Sequence, residues 1–366
     1  MGILKNIFGK KDKPVKSYSD FWAWFQKNEK DFFDVIKQKD RTKIEKGFFD
    51  KLSPKLEELK DGYFFLTGMY DDNTVELVLT AEGNTRNIVF VEEIVLAAPM
   101  MEGWKFTALK PALGIDDVNI EMAGYKFNGE NISFYANELP EYPDEIDITI
   151  VHNDFTKDNE SKISNGVYIF LDNYLGELDF VTTIDNLTIV GKKEAKKDLI
   201  AITKLKDFLN WRQKEFIEKY DGVGYNTEKD SHSILEAELE NGNALLAVIN
   251  TELLNWDSKA SHPWVLRVEI KYDGSKNNGM PDERAYNLLG KIQEEIEHEL
   301  KDVDGYLNIG RQTANGVREI YFACKEFRKP SKVLYQIQQK HAASLGIEYE
   351  IYKDKYWQSF KRFSTN

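Results

Sequence analysis

The chain has 366 residues, of which 42% are hydrophobic, 13% aromatic and 30% charged. That length exceeds one ordinary core and sets an expectation of two domains, and so many aromatic residues exclude a disordered chain. Asp and Glu number 62 against 49 Lys and Arg, a formal net charge of −13, which argues against a general nucleic-acid coat because phosphate contacts need a positive field. The single cysteine, Cys324, excludes an intramolecular disulfide and a cysteine-based zinc cluster. No apolar run approaches the ~18–20 residues that span a bilayer.

Residues 1–16 read as a basic, flexible tail: five lysines (Lys5, Lys10, Lys11, Lys13, Lys16) face one acid, Asp12. The segment lacks a secretory cleavage site, and Asn6 stands where a myristoylation signal wants Ser or Thr. Ile3, Leu4, Ile7 and Phe8 are suited at most to weak contact with a membrane surface, so the expected location is cytoplasmic.

The spacing of Phe21, Trp22, Phe25, Phe32, Phe33 and Ile36, then of Ile44, Phe48, Leu52, Leu56 and Leu59, predicts two helices over 19–60, with Pro54 breaking or restarting the second. Short apolar runs follow at 63–69, 74–80, 88–97, 103–109, 118–127, 131–137 and 146–151. Turn residues between them suggest an antiparallel meander. A helix near 157–180, a strand near 186–190 and a helix over 196–220 complete this region. The polar, glycine-bearing stretch 221–230 marks a boundary, so the expected domains are 17–222 and 223–366. The acid excess sits mainly in the first.

In the second domain, 233–240 and 243–250 form a hairpin about Asn241-Gly242. Residues 264–272 alternate: Trp264, Leu266, Val268, Ile270 and Tyr272 on one face, Val265, Arg267, Glu269 and Lys271 on a mostly wet one. Pro281, Asp282 and Glu283 open a helix with Ala285, Leu288, Leu289, Ile292, Ile296 and Leu300 as its core stripe. Strands 306–313 and 317–324 turn at Asn315-Gly316, a register that pairs Thr313 with Arg318 and Arg311 with Ile320. The same register places Leu307, Ile309, Ile320, Phe322 and Cys324 on one face. A helix over 331–344 and a strand over 347–353 follow. The order strand, helix, strand, strand, helix, strand is the split βαβ, ferredoxin-like arrangement. The fold class is therefore α+β: an antiparallel-sheet N-terminal domain with flanking helices, then a ferredoxin-like βαββαβ C-terminal domain.

Trp264, Arg267 and Val268, then Asp273-Gly274, Met280-Pro281-Asp282, Gly310-Arg311-x-Thr313-x-x-Gly316-x-Arg318-Glu319 and Asp354-x-x-Trp357 carry a resemblance. In order and spacing, residues 230–362 resemble domain-of-unknown-function family six hundred and ninety-five. Lys355 stands where that family tends to have Pro, and Phe360 where it tends to have Tyr. Such domains are joined elsewhere to ribonuclease-inhibitor-type domains, so the resemblance implies a regulatory binding role and no reaction.

Arg311 and Arg318 are diagonal neighbours across the hairpin, roughly 7–8 Å apart at Cα, beside loop 273–280 and the start of the following helix. With Thr313 they form a candidate anion site for a phosphate or carboxylate. The competing reading pairs the arginines with Asp273, Asp282 or Glu283. Asp354 and Trp357 form either a recognition edge or a cap on a short final helix. Cys324 falls on the apolar parity of its strand and reads as a buried, inert thiol. His298 sits among glutamates on a solvated helix face, no His pair has metal-ligand spacing, and no phosphate-binding glycine motif is present. The expected role is a non-catalytic binding or regulatory protein without cofactor or metal, its partner a protein or a small anionic ligand. The alternative is a hydrolase acting on a phosphorylated or carboxylated compound.

Overall fold

The computed structural model describes residues 13–363. The expected tail and its membrane contact lie outside them except for four positions. Of these, Val15 is buried and its N–H donates to Glu58 Oε2 at 2.5 Å. The chain divides into two compact units, Met1–Lys110 and Pro111–Asn366.

In the first unit, helix α1 (Tyr18–Lys37) starts at Ser17, whose side chain accepts from Asp20 N. A π-helical turn, Glu45–Phe49, leads into α2 (Asp50–Glu57). Pro54 lies inside α2 and does not end it; the widened turn just upstream absorbs the irregularity. Three strands follow: β1 (Phe64–Met69), β2 (Val75–Thr80) and β3 (Trp104–Ala108). Residues 88–97 are not a strand. They belong to helix α3 (Thr85–Leu96), capped by the Asn84 side chain on Arg86 N. Ile88, Val91 and Ile94 are fully buried and Val89 and Phe90 nearly so. An apolar run covered on several sides has no clean period, and burial overrides the β preference of its branched residues. As a crossover, α3 makes β2 and β3 parallel, where a meander would have made them antiparallel. The core is aromatic: Phe25 packs edge-on against Trp22, Phe32, Trp104 and Phe106.

The second unit carries two larger sheets. The first has the order β8-β7-β6-β9, built from β6 (Ile132–Asn137), β7 (Asp147–His152), β8 (Asn186–Gly191) and β9 (Ile200–Ala201). A small ribbon, β4 (Ile120–Met122) with β5 (Tyr125–Phe127), precedes it. The helix expected over 157–180 is two, α4 (Glu160–Leu175) and α5 (Glu177–Thr183), parted at Gly176. These again make a parallel pair, β7 with β8. Helix α6 (Leu205–Tyr220) is shorter than its expected span. Phe134, Ile148, Ile150, Phe170, Leu171 and Leu205 form the core of this part.

The second sheet comprises β10 (His232–Glu238), β11 (Ala244–Asn250), β12 (Trp264–Lys271), β13 (Tyr306–Ala314), β14 (Val317–Cys324) and β15 (Gly346–Lys353). Its order is β10-β11-β13-β14-β12-β15, all antiparallel. The last four strands, with α7 (Glu283–Glu299) and α8 (Arg328–His341), follow the order that the βαββαβ connection requires. The β10–β11 hairpin extends that sheet to six strands.

The expected register holds from Ala314↔Val317 to Arg311↔Ile320, then slips by one residue between Asn308 and Gly310. Gly310 makes the slip feasible: its φ is +136°, and a Cβ there would sit 2.2 Å from Val248 O. The bulge corrects the expected face assignment. Leu307 and Ile309 turn away from Ile320, Phe322 and Cys324 and join Val265, Tyr321 and Ala323 in a second core on the opposite face. That face is therefore not mostly wet. Leu253, Trp357, Phe360 and Phe363 cover it.

The expected boundary at 222/223 falls inside the second unit, and polar contacts there show why. Lys355 Nζ donates to Asp185 Oδ2 at 2.8 Å and to Asp144 O at 2.6 Å. Lys353 Nζ reaches Asp185 Oδ1 at 2.8 Å, and Tyr356 OH donates to Asp144 Oδ2 at 2.6 Å. Asp144 also accepts from Lys219 and Tyr220. Burial works to raise its pKa, and the hydrogen bonds from Lys219, Tyr356 and Tyr220 together outweigh it and hold the carboxyl low.

Candidate functional site

The helix-covered face of the second sheet carries the arginines. Thr313 is opposite Arg318, and Arg311 is opposite Ile320. The same rows continue to Leu246 beside Thr313 and Val248 beside Arg311. Asn315 (φ +49°) and Gly316 (φ +79°) close the hairpin as an Asn-Gly turn should. Loop 273–280 packs on this turn, as the sequence suggests: Gly316 N donates to Gly279 O at 2.8 Å, and Tyr272 N to Gly316 O at 2.8 Å.

Arg318 is only 4% exposed. Its Nε donates to Thr313 Oγ1 at 3.2 Å, and its guanidinium carbon lies 5.4 Å from the centre of the Tyr286 ring. Arg311 donates from Nη1 to Gln293 Oε1 at 3.3 Å. Burial, and then the neighbouring positive charge of Arg311, both depress the pKa of Arg318. Among the described residues no ion pair joins either guanidinium to a carboxylate. Two of the three acids proposed to neutralise them are engaged elsewhere: Asp273 accepts from Ser275 N and Oγ, and Asp282 caps α7 through Ala285 N; Glu283 forms no ion pair with either arginine. The pairing that competes with the anion-site reading is therefore not formed.

The two arginines line an open cleft of about 620 Å³ with Tyr286, Gly290, Lys291 and Glu294 of α7. A second cleft of about 750 Å³ adjoins it and shares Gln293, Glu297 and Arg311. Its remaining lining includes His232, Val248, Asn308 and Phe322. Both volumes fall in the range of small-molecule sites. Glu297 Oε1 accepts from Gln293 Nε2 at 2.8 Å and from Asn308 Nδ2 at 2.6 Å. Arg311, Gln293, Glu297 and Asn308 thus form one hydrogen-bonded wall between the clefts.

Sequence reasoning missed the α7 contribution. Tyr286, Gly290, Gln293 and Glu297 recur at i, i+4, i+7 and i+11, a polar stripe beside the apolar one, and that spacing was the available signal. The β10–β11 hairpin supplies Val248, which no hairpin motif by itself points to.

The other candidates occupy structural positions. Asp354 caps the final turn, accepting from Gln358 N at 2.8 Å and Ser359 N at 2.9 Å. Trp357 is 2% exposed and donates from Nε1 to His262 O at 3.0 Å. The recognition-edge expectation for this pair is corrected accordingly: a buried ring cannot present an edge. Cys324 is fully buried, and burial pushes its thiol pKa up. His298 lies on an exposed helix face beside Glu299. No group of His, Cys, Asp and Glu among the described residues is arranged to hold a metal ion, and no described helix is long and apolar enough to cross a membrane.

Comparison with curated proteins and with solved structures returns no match. Residues 236–364, a segment that contains Arg311, Thr313, Arg318, Asp354 and Trp357, match the model of a family described as "Family of unknown function (DUF695)".

Proposed function

We propose that this part of the chain is a non-catalytic binding module whose ligand is a small anion held by Arg311 and Arg318. One observation carries the reading: two guanidinium groups share the wall of an open cleft, and neither has a carboxylate partner among the described residues. Holding a buried positive charge without a counter-ion is costly, and two side by side cost more. An anion from solution removes that cost, and the planar fork of arginine matches phosphate and carboxylate oxygens. Thr313 orients Arg318 by accepting from Nε, and Gln293 orients Arg311. Glu297 Oε1 accepts from two amides and so braces the wall.

Isothermal titration of the full chain with inorganic phosphate tests this. Wild type should bind with saturation, Arg318→Ala and Arg311→Ala should each lose at least tenfold in affinity, and equal affinity in all three proteins would refute the proposal.

A further inference from the structure

Gly290 lies in the interior of α7, where glycine is the least favourable residue after proline. No packing constraint explains it, because a Cβ built there meets no atom within 4 Å. The open space belongs to the cleft that Arg311, Arg318 and Tyr286 line. A helix interior that forgoes even a methyl group beside two unpaired guanidiniums leaves room for something the protein itself does not supply.

The chemistry of the walls narrows what that is. A carboxylate has two oxygens, and one arginine fork engages both. A phosphate monoester has three terminal oxygens and carries two charges above its second pKa near ~6. It can therefore take a fork from one guanidinium and still offer an oxygen to the other. Its charge also matches the two groups that lack an ion partner. The lining also carries Lys291, Glu294 and Glu297, which leaves it net positive, and Glu297 Oε1 accepts from Gln293 and Asn308. Tyr286, 53% exposed, offers a ring at the mouth, and the adjoining cleft past Arg311 offers the half-buried Val248 to the body of the molecule.

Resting on the reading proposed above, we infer that the cleft takes a small-molecule phosphate monoester. Its phosphoryl group bridges Arg311 and Arg318 against the bare backbone of α7 at Gly290.

Phenyl phosphate, phenyl sulfate and benzoate, titrated into the full chain at pH 8, separate the possibilities. The sulfate ester keeps the tetrahedral oxygens with one charge fewer, and benzoate keeps only two oxygens. Phenyl phosphate is expected to bind at least tenfold more tightly than either. Equal binding of all three overturns the inference and leaves an unselective anion site; binding of none overturns the underlying reading as well. Gly290→Ala is expected to raise the melting temperature of the free protein and weaken phenyl phosphate by threefold or more. Gly290→Leu is expected to weaken it by thirtyfold or more. A Gly290→Leu protein that melts like wild type and binds phenyl phosphate unchanged overturns the assigned position.

Discussion

Arg318 donates through Nε to Thr313 Oγ1 at 3.2 Å across the β13–β14 hairpin, and both side chains are at least nine-tenths buried. This contact aligns the guanidinium and leaves its terminal amino groups for the cleft. Thr313→Val keeps the shape and deletes the acceptor. A buried donor left without a partner costs about 1–3 kcal/mol, so urea unfolding should show a loss of that size. Phosphate affinity should fall several-fold while Arg311 still binds.

Arg318→Met separates stability from binding. Methionine fills similar space without a buried unpaired charge, and such replacements are often neutral or stabilising. The variant should unfold at the same or a higher urea midpoint than wild type and lose phosphate binding. A clear drop in midpoint would mean that the arginine is there to hold the core.

Gly310→Ala should be among the most damaging single-methyl changes in the chain. The position has φ +136°, and its new Cβ would collide with Val248 O. The cost is roughly 3 kcal/mol from strain and forced strand separation, read as a lower urea midpoint. Because Gly310 adjoins Arg311 and pairs with Ile249 of β11, phosphate affinity should fall in the fraction that remains folded.

His262 makes stability depend on pH. The ring is fully buried, packed 5.4 Å from Trp256, and its Nε2 has no hydrogen-bond partner. Ser261 Oγ–H is spent on Ser258 O, so His262 Nδ1 donates to Ser261 Oγ and the ring is neutral. Burial, helped by the charge of Lys325, lowers its pKa from 6.5 to about 3. The unfolded chain therefore binds a proton that the folded chain refuses between those values. The stabilisation is complete above about pH 6.5 and is lost progressively towards pH 3, about 5 kcal/mol at ~1.4 kcal/mol per pH unit. Urea midpoints measured from pH 7 to pH 4 should decline more steeply in wild type than in His262→Phe.

The chain shows its second sheet more legibly than the rest. Asn315-Gly316 and the alternation from Trp264 to Tyr272 fixed a local register by turn chemistry and period alone, and these placed Arg311, Thr313 and Arg318 together. Ile309 was misassigned because a bulge leaves only a glycine as its trace, and glycines have many other uses. Residues 88–97 were misread because a helix buried on several sides lacks amphipathic contrast. Val248 entered the cleft through the docking of β11 on β13, a long-range pairing that neither strand announces. The link from Lys355 to Asp185 has the same origin: each residue is an ordinary charge until the fold buries both.

Arginine-selective NMR of the full chain gives the most direct test of the anion site, because it watches the Nε–H groups of Arg311 and Arg318 during titration with inorganic phosphate. Assignment comes from Arg311→Lys and Arg318→Lys. These two resonances should move together and saturate, while that of Arg267, paired with Glu319 and Glu350 on the other face, should stay in place. Movement at Arg267 with none at Arg311 or Arg318 would contradict the anion site.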